Sequence, residues 1–134
     1  MTLEISELHG VTADIGKKLK AAGLTDSDSL LAAVAQPADR KQLALKLDID
    51  EHTLLTLGNR ADLARVVGIG AVYSDLLELA GVDTVAELAT RNADNLLAKL
   101  SEVAKDYNVG RLPSQADTHD WVAQAKALGR GIYY

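Results

Sequence analysis

Two stretches of this chain align with one another without a gap. GVTADIGKKLKAAGLTDSDSLL, beginning at Gly10, lies over GIGAVYSDLLELAGVDTVAELA, beginning at Gly68. Gly10 pairs with Gly68, Ala13 with Ala71, Leu19 with Leu77, Ala22 with Ala80, Gly23 with Gly81 and Leu30 with Leu88, while Val11 opposite Ile69 and Leu24 opposite Val82 are conservative matches. A repeat that preserves both its glycines and its apolar phase preserves its turns and its buried face, so the chain reads as a duplicated helical unit. The expected organisation is one compact domain of two pseudo-repeats, residues 1–67 and residues 68–134, the second carrying a tail. A length of 134 residues suits one domain, or two small halves sharing a core.

The unit is helical on every local signal. The apolar residues are mainly Leu, Ala and Val, Phe is absent, and no stretch shows the period-two alternation of strands. Thr12 caps a helix to Ala22 that Gly23 ends, and Thr25 with Asp28 resembles a capping box for the next. Pro37 suits the first turn of a helix through about Leu47. Asp50 opens the longest run, whose Leu54, Leu57, Ala61 and Ala64 form one stripe and which stops at Gly68. From Gly70 a helix runs to Ala80 and is closed by Gly81, and Thr84 with Glu87 boxes the start of the next. Asn92 caps a run with Leu96, Leu100, Val103 and Tyr107 on one face. NVGRLPS is a loop, Ser114 or Thr118 opens a last helix containing Trp121 and Leu128, and GRGIYY trails off as a tail that either docks or offers a partner contact. The fold class expected is all-α, with about eight or nine short helices.

The Gly68-Ile69-Gly70 step leaves two or three residues to reverse the chain between helices. Glycine permits positive φ there and lets the helices approach closely, with Ile69 as an inward plug. The following helix then presents unsatisfied N–H groups and its positive dipole end, which is an anion site in principle. Arg65 to Leu88, and with departures Leu8 to Leu30, resemble the helix-hairpin-helix motif: apolar-x-Gly-apolar-Gly, an apolar helix, then Gly-apolar-x-Thr. The whole chain, including NRADLARVVGIG, YSDLLELAGVDTVAELATRN and WVAQAKAL, resembles an uncharacterised bacterial family of that architecture, domain of unknown function 4332. The broader motif family implies contact with DNA phosphates, without base specificity, through hairpin N–H groups. The binding hairpins this resemblance nominates comprise Gly10, Val11, Thr12, Lys17, Lys18, Arg65, Gly68, Ile69 and Gly70. Two departures stand against phosphate contact: Thr12 replaces the second glycine of the first copy, and Ala71, Val72 and Tyr73 follow Gly70 where a DNA-gripping hairpin carries lysine or arginine. Asp14 beside the first turn would repel phosphate. Packing hinge and phosphate grip both stay open.

Charge favours the former, since 19 acidic residues outnumber 14 basic ones and the net charge of -5 opposes non-specific attraction to nucleic acid. The chain holds no cysteine and its three histidines are scattered. The DTHD at Asp117–Asp120 fits a helix start without any metal. No nucleophile–base arrangement or phosphate-cradling loop is recognisable, Asp83 reads as part of a helix start, and Lys17 and Lys18 read as a solvated face rather than a Schiff-base site. No metal, cofactor or small-molecule substrate is expected. Without a leader or an apolar run near ~20 residues, a cytoplasmic protein without membrane contact is expected. The function expected is a non-catalytic module for protein interaction or scaffolding, with weak nucleic-acid binding as the alternative.

Overall fold

The computed structural model describes residues 2–107 and 110–134, and among these the fold is all-helical. Eight α-helices follow one another: α1 Ala13–Ala21, α2 Ser27–Val34, α3 Pro37–Leu47, α4 Glu51–Leu63, α5 Ala71–Leu79, α6 Val85–Leu88, α7 Ala93–Val103 and α8 Gln115–Leu128. Short 3-10 turns occupy Ile5–Glu7 and Ala104–Asp106. The only β-type pairing among the described residues is an isolated antiparallel bridge between Glu4 and Asp26. Of the loop predicted at 108–114, residues 108 and 109 lie outside the described residues.

Side-chain caps set most starts. Thr12, Asp50, Asn92 and Ser114 each accept a first-turn N–H, and Pro37 occupies the first turn of α3. Three expectations shift. The box opening α2 is Asp26 with Ser29, one residue beyond Thr25. Thr84 accepts the Glu87 N–H, but the reciprocal bond of a full box is not formed. The long run stops as a helix at Leu63 rather than Val67, because Val66 must leave the α4 axis to enter the second core, where it is fully buried.

The two aligned segments share their backbone geometry. In both copies the turn glycine has positive φ, +96° at Gly10 and +101° at Gly68, and nine helical residues follow. Both helices then end in the same pair of bonds: Gly23 N–H to Lys20 O at 3.0 Å with Leu24 N–H to Leu19 O at 2.9 Å, and Gly81 N–H to Glu78 O at 3.0 Å with Val82 N–H to Leu77 O at 2.8 Å. This is the Schellman closure, which needs a left-handed residue and favours glycine there, with φ +83° at Gly23 and +88° at Gly81.

Two apolar clusters form. One gathers Ile5, Leu8, Leu19, Leu30 and Val34 around the α4 face of Leu54, Leu57, Ala61 and Ala64. The other gathers Leu63, Val66, Ile69, Leu76, Leu77 and Leu88 around Leu96, Leu100 and the α8 face of Trp121, Val122 and Ala125. The α4 stripe is therefore buried as expected, and α4 feeds both clusters. The segment after α8 returns across the boundary: Ile132 belongs to the first cluster.

Candidate binding surfaces

The turn at Gly68 is packed against α8. A Cβ added to Gly68 would stand 3.0 Å from Trp121 Nε1, and Trp121 in turn tilts against Tyr73 with ring centroids 5.3 Å apart. Gln124 clamps the turn from the side, accepting the Val67 N–H at 2.8 Å and donating to Val67 O at 3.0 Å. Ile69 is fully buried, as a plug should be. Gly70 departs from expectation: at φ -97° and ψ -163° it is ordinary extended backbone, so Gly68 alone carries the reversal. As N-cap of α5 it supplies no side-chain acceptor.

The first turn packs on α4 instead. A Cβ on Gly10 would meet Arg60 Nη1 at 2.6 Å and Leu57 Cδ2 at 3.4 Å. Val11 lies half-buried against the first cluster, and Thr12 Oγ1 is used up in accepting the Ile15 N–H at 3.2 Å. Val11, Thr12 and Lys17 line a shallow depression of about 280 Å³ with Ser6, Gly16 and Lys20. Lys18 turns away, donating to Asp48 O at 3.0 Å and pairing with Asp14 at 3.4 Å.

Arg65 is engaged by Asp62 and by the segment that leaves α8. Its Nη2 is 2.6 Å from Asp62 Oδ1 and donates to Gly129 O at 2.7 Å. Asp62 is wholly buried, and its other oxygen accepts the first N–H of α6, from Val85, at 2.8 Å. One carboxylate thus caps a helix on a different element and holds the guanidinium that pins the end of the chain. An Asp and an Arg three apart on a helix hint at the pair; nothing in the sequence announces Val85.

Where the two repeats meet, His9 from the first turn reaches α5. Its Nδ1 donates to Asp75 Oδ2, which also accepts from Tyr107 OH at 2.8 Å. That bond, then burial, pushes the Tyr107 hydroxyl pKa up. Arg60 sits between, donating to His9 O, 3.1 Å from Glu78 and 3.5 Å from Asp75. Arg60, Asp75, Glu78, Leu79 and Tyr107 line a depression of about 330 Å³, and Leu79 is 54% exposed at its side. Glu78 also borders a second depression of about 370 Å³ with His52, Asn59, Asp83, Glu87 and Tyr134. Asp83 and Glu87 have no cationic partner within ion-pair distance among the described residues. Burial, then the charge of Glu87, raises the Asp83 pKa. Neither depression was foreseeable, because each is assembled from residues of both repeats.

The family model described as a domain of unknown function (DUF4332) matches residues 9–128 of the chain. The chain belongs to the DUF4332 family. The match spans both repeats and α8 and stops short of the closing segment. No curated protein and no solved structure matches the chain. Among the described residues of this DUF4332 chain no helix is long and apolar enough to cross a membrane, and no group of three or more His, Asp or Glu is placed to hold a metal. Its Asp117 closes the capping box of α8 with Ser114, and His119 pairs with Asp94 on α7 at 2.9 Å.

Proposed function

We propose that this DUF4332 chain is a non-catalytic, tandem helix-hairpin-helix module that binds protein, with its hairpins serving as packing hinges. The observation that carries the reading is the fate of the arginines. Arg60 and Arg65 tie elements together, Arg40 is buried on Val34 O, Arg91 donates to Gly81 O, Arg111 pairs with Asp117 and Arg130 turns onto Ile132 O. Phosphate affinity comes mainly from solvent-facing cations, and three of the six arginines, Arg40, Arg60 and Arg65, are drawn into the fold, while Arg91, Arg111 and Arg130 stay exposed but each has an acceptor in its own chain. The surface between the repeats is acidic instead, around Glu78, Asp83 and Glu87. Such a surface repels a nucleic-acid backbone and suits a protein partner.

Nucleic-acid binding is the second reading, favoured by Lys17 and Lys20 beside the first turn. Anisotropy titration of labelled single- and double-stranded DNA at two salt concentrations separates the two, using wild type and a Lys17→Ala/Lys20→Ala variant. The module reading expects dissociation constants weaker than about 10 µM near physiological salt, unchanged by the variant. Tight binding, steep in salt, whose log–log slope falls by about 2 in the double variant would instead place phosphate at the first hairpin.

A further inference from the structure

Residues 129–134 leave α8 and cross onto the first repeat as an extended strap, held there as a peptide ligand is held. Ile132 inserts between α2 and α4 and is 1% exposed. The hole exists because residue 58 of α4 is glycine: a Cβ there would stand 2.8 Å from Ile132 Cδ1 and 2.7 Å from Val34 Cγ2. The next residue is bound through its main chain on both sides. Tyr133 N–H donates to Ala35 O at 2.8 Å, and Tyr133 O accepts from Arg40 Nη1 at 2.9 Å, a nitrogen that also reaches Val34 O at 2.9 Å. One anchor side chain in a pocket, with main-chain hydrogen bonds beside it, is how grooves capture extended peptides.

The strap leaves α8 through Gly129, at φ +74°, and is tied at that root by Arg65 Nη2 donating to Gly129 O at 2.7 Å, so exchange concerns the segment beyond it. That segment matches its groove incompletely, since buried Arg40 keeps an Nε with no acceptor. A buried donor without a partner is costly, and a segment that supplies the missing acceptor gains over the strap.

We propose that the groove of α2, α3 and α4 is a docking site for an extended protein segment with a β-branched aliphatic anchor, and that residues 129–134 are its internal ligand. A partner segment of that chemistry enters by displacing the strap. This rests on the protein-binding reading above and names the surface that does the binding.

The test uses the full chain carrying Ile132→Lys, whose strap cannot seat its anchor, and a fluorescent, end-capped peptide of sequence Gly-Arg-Gly-Ile-Tyr-Tyr. The folded variant is expected to bind the peptide saturably and at least tenfold more tightly than wild type, whose groove is filled. The same peptide with Lys in place of Ile should not bind. A folded variant that ignores the peptide, or binds both peptides alike, overturns the proposal. So does failure of the variant to fold, which would make the strap an integral part of the core. Hydrogen exchange on the wild-type chain gives an independent check: the Tyr133 amide should exchange at least a hundredfold faster than that of Leu57, because the strap opens without global unfolding. Equal rates would reject a displaceable ligand. Tight, salt-steep DNA binding would sink the protein-binding reading while leaving the peptide result intact, so the two failures are distinguishable.

Discussion

Replacing Gly68 by alanine should cost about 2 kcal/mol, through two separable terms. The first is backbone: at φ +101° a residue with a Cβ loses about 1–2 kcal/mol relative to glycine. The second is contact: the new Cβ would lie 3.0 Å from Trp121 Nε1, and Trp121 is buried and stacked on Tyr73, so it has little room to yield. Overpacking by a single methyl adds about 1 kcal/mol, the low end of the usual range. Gly23 isolates the first term, because its φ is +83° and nothing lies within 4 Å of an added Cβ. Gly23→Ala should therefore cost about 1 kcal/mol. Gly70→Ser is the control: its extended backbone accepts any residue, and serine supplies the missing cap oxygen, so the change should be neutral or stabilising by a few tenths. Urea denaturation followed by circular dichroism measures all three. With a slope of about 1.5 kcal/mol/M, the Gly68→Ala midpoint should fall by about 1.3 M at unchanged slope. A Gly68→Ala cost no greater than that of Gly23→Ala would show that Trp121 does not brace the turn. A Gly70→Ser cost equal to that of Gly68→Ala would refute the assignment of the reversal to Gly68 alone.

Asp62→Ala should destabilise by about 2–3 kcal/mol, less than a fully buried pair because Arg65 is partly solvated, since the substitution strands the Val85 N–H and the guanidinium together; a midpoint in urea within error of wild type would contradict the role given to that carboxylate. The carboxyls of Asp26, Asp94 and Asp117 are held below their ordinary range, chiefly by the Ser29 N–H, the His119 ring and the Ser114 N–H respectively. A folded-state pKa below the unfolded value contributes stability that is present above about pH 4 and lost as pH falls through the folded value. Urea midpoints should accordingly fall between pH 5 and pH 2, and Asp26→Asn should flatten that loss; superimposable curves for variant and wild type would refute the linkage.

What the sequence by itself determined lay within about five residues, and not all of that: the box of α2 sits one residue beyond Thr25, and Gly70 is extended backbone outside the reversal. The left-handed glycines at Gly23 and Gly81, the caps at Thr12 and Asn92, the stripe on α4 and the inward plug at Ile69 depend on backbone sterics, first-turn N–H groups and helical period, which neighbouring residues specify on their own, whereas the choice of Ser114 over Thr118 came with the structure. The repeat made the same solution recognisable twice, down to the matching helix ends of α1 and α5. Tertiary structure decided where the long polar side chains and the last residues went. Arg65, placed by sequence beside a hairpin, is claimed by Asp62 and Gly129 O, and Gly129 comes near only because the chain crosses back after α8. His9 meets Asp75, and Gly68 meets Trp121, only because the two repeats and α8 pack as they do. The α4 helix stops at Leu63 rather than Val67 because a second core, built from residues far along the chain, draws Val66 inward. An arginine has several acceptors within reach of its long side chain, so its local sequence leaves the partner open. A glycine at positive φ has its reason for being there within a single residue.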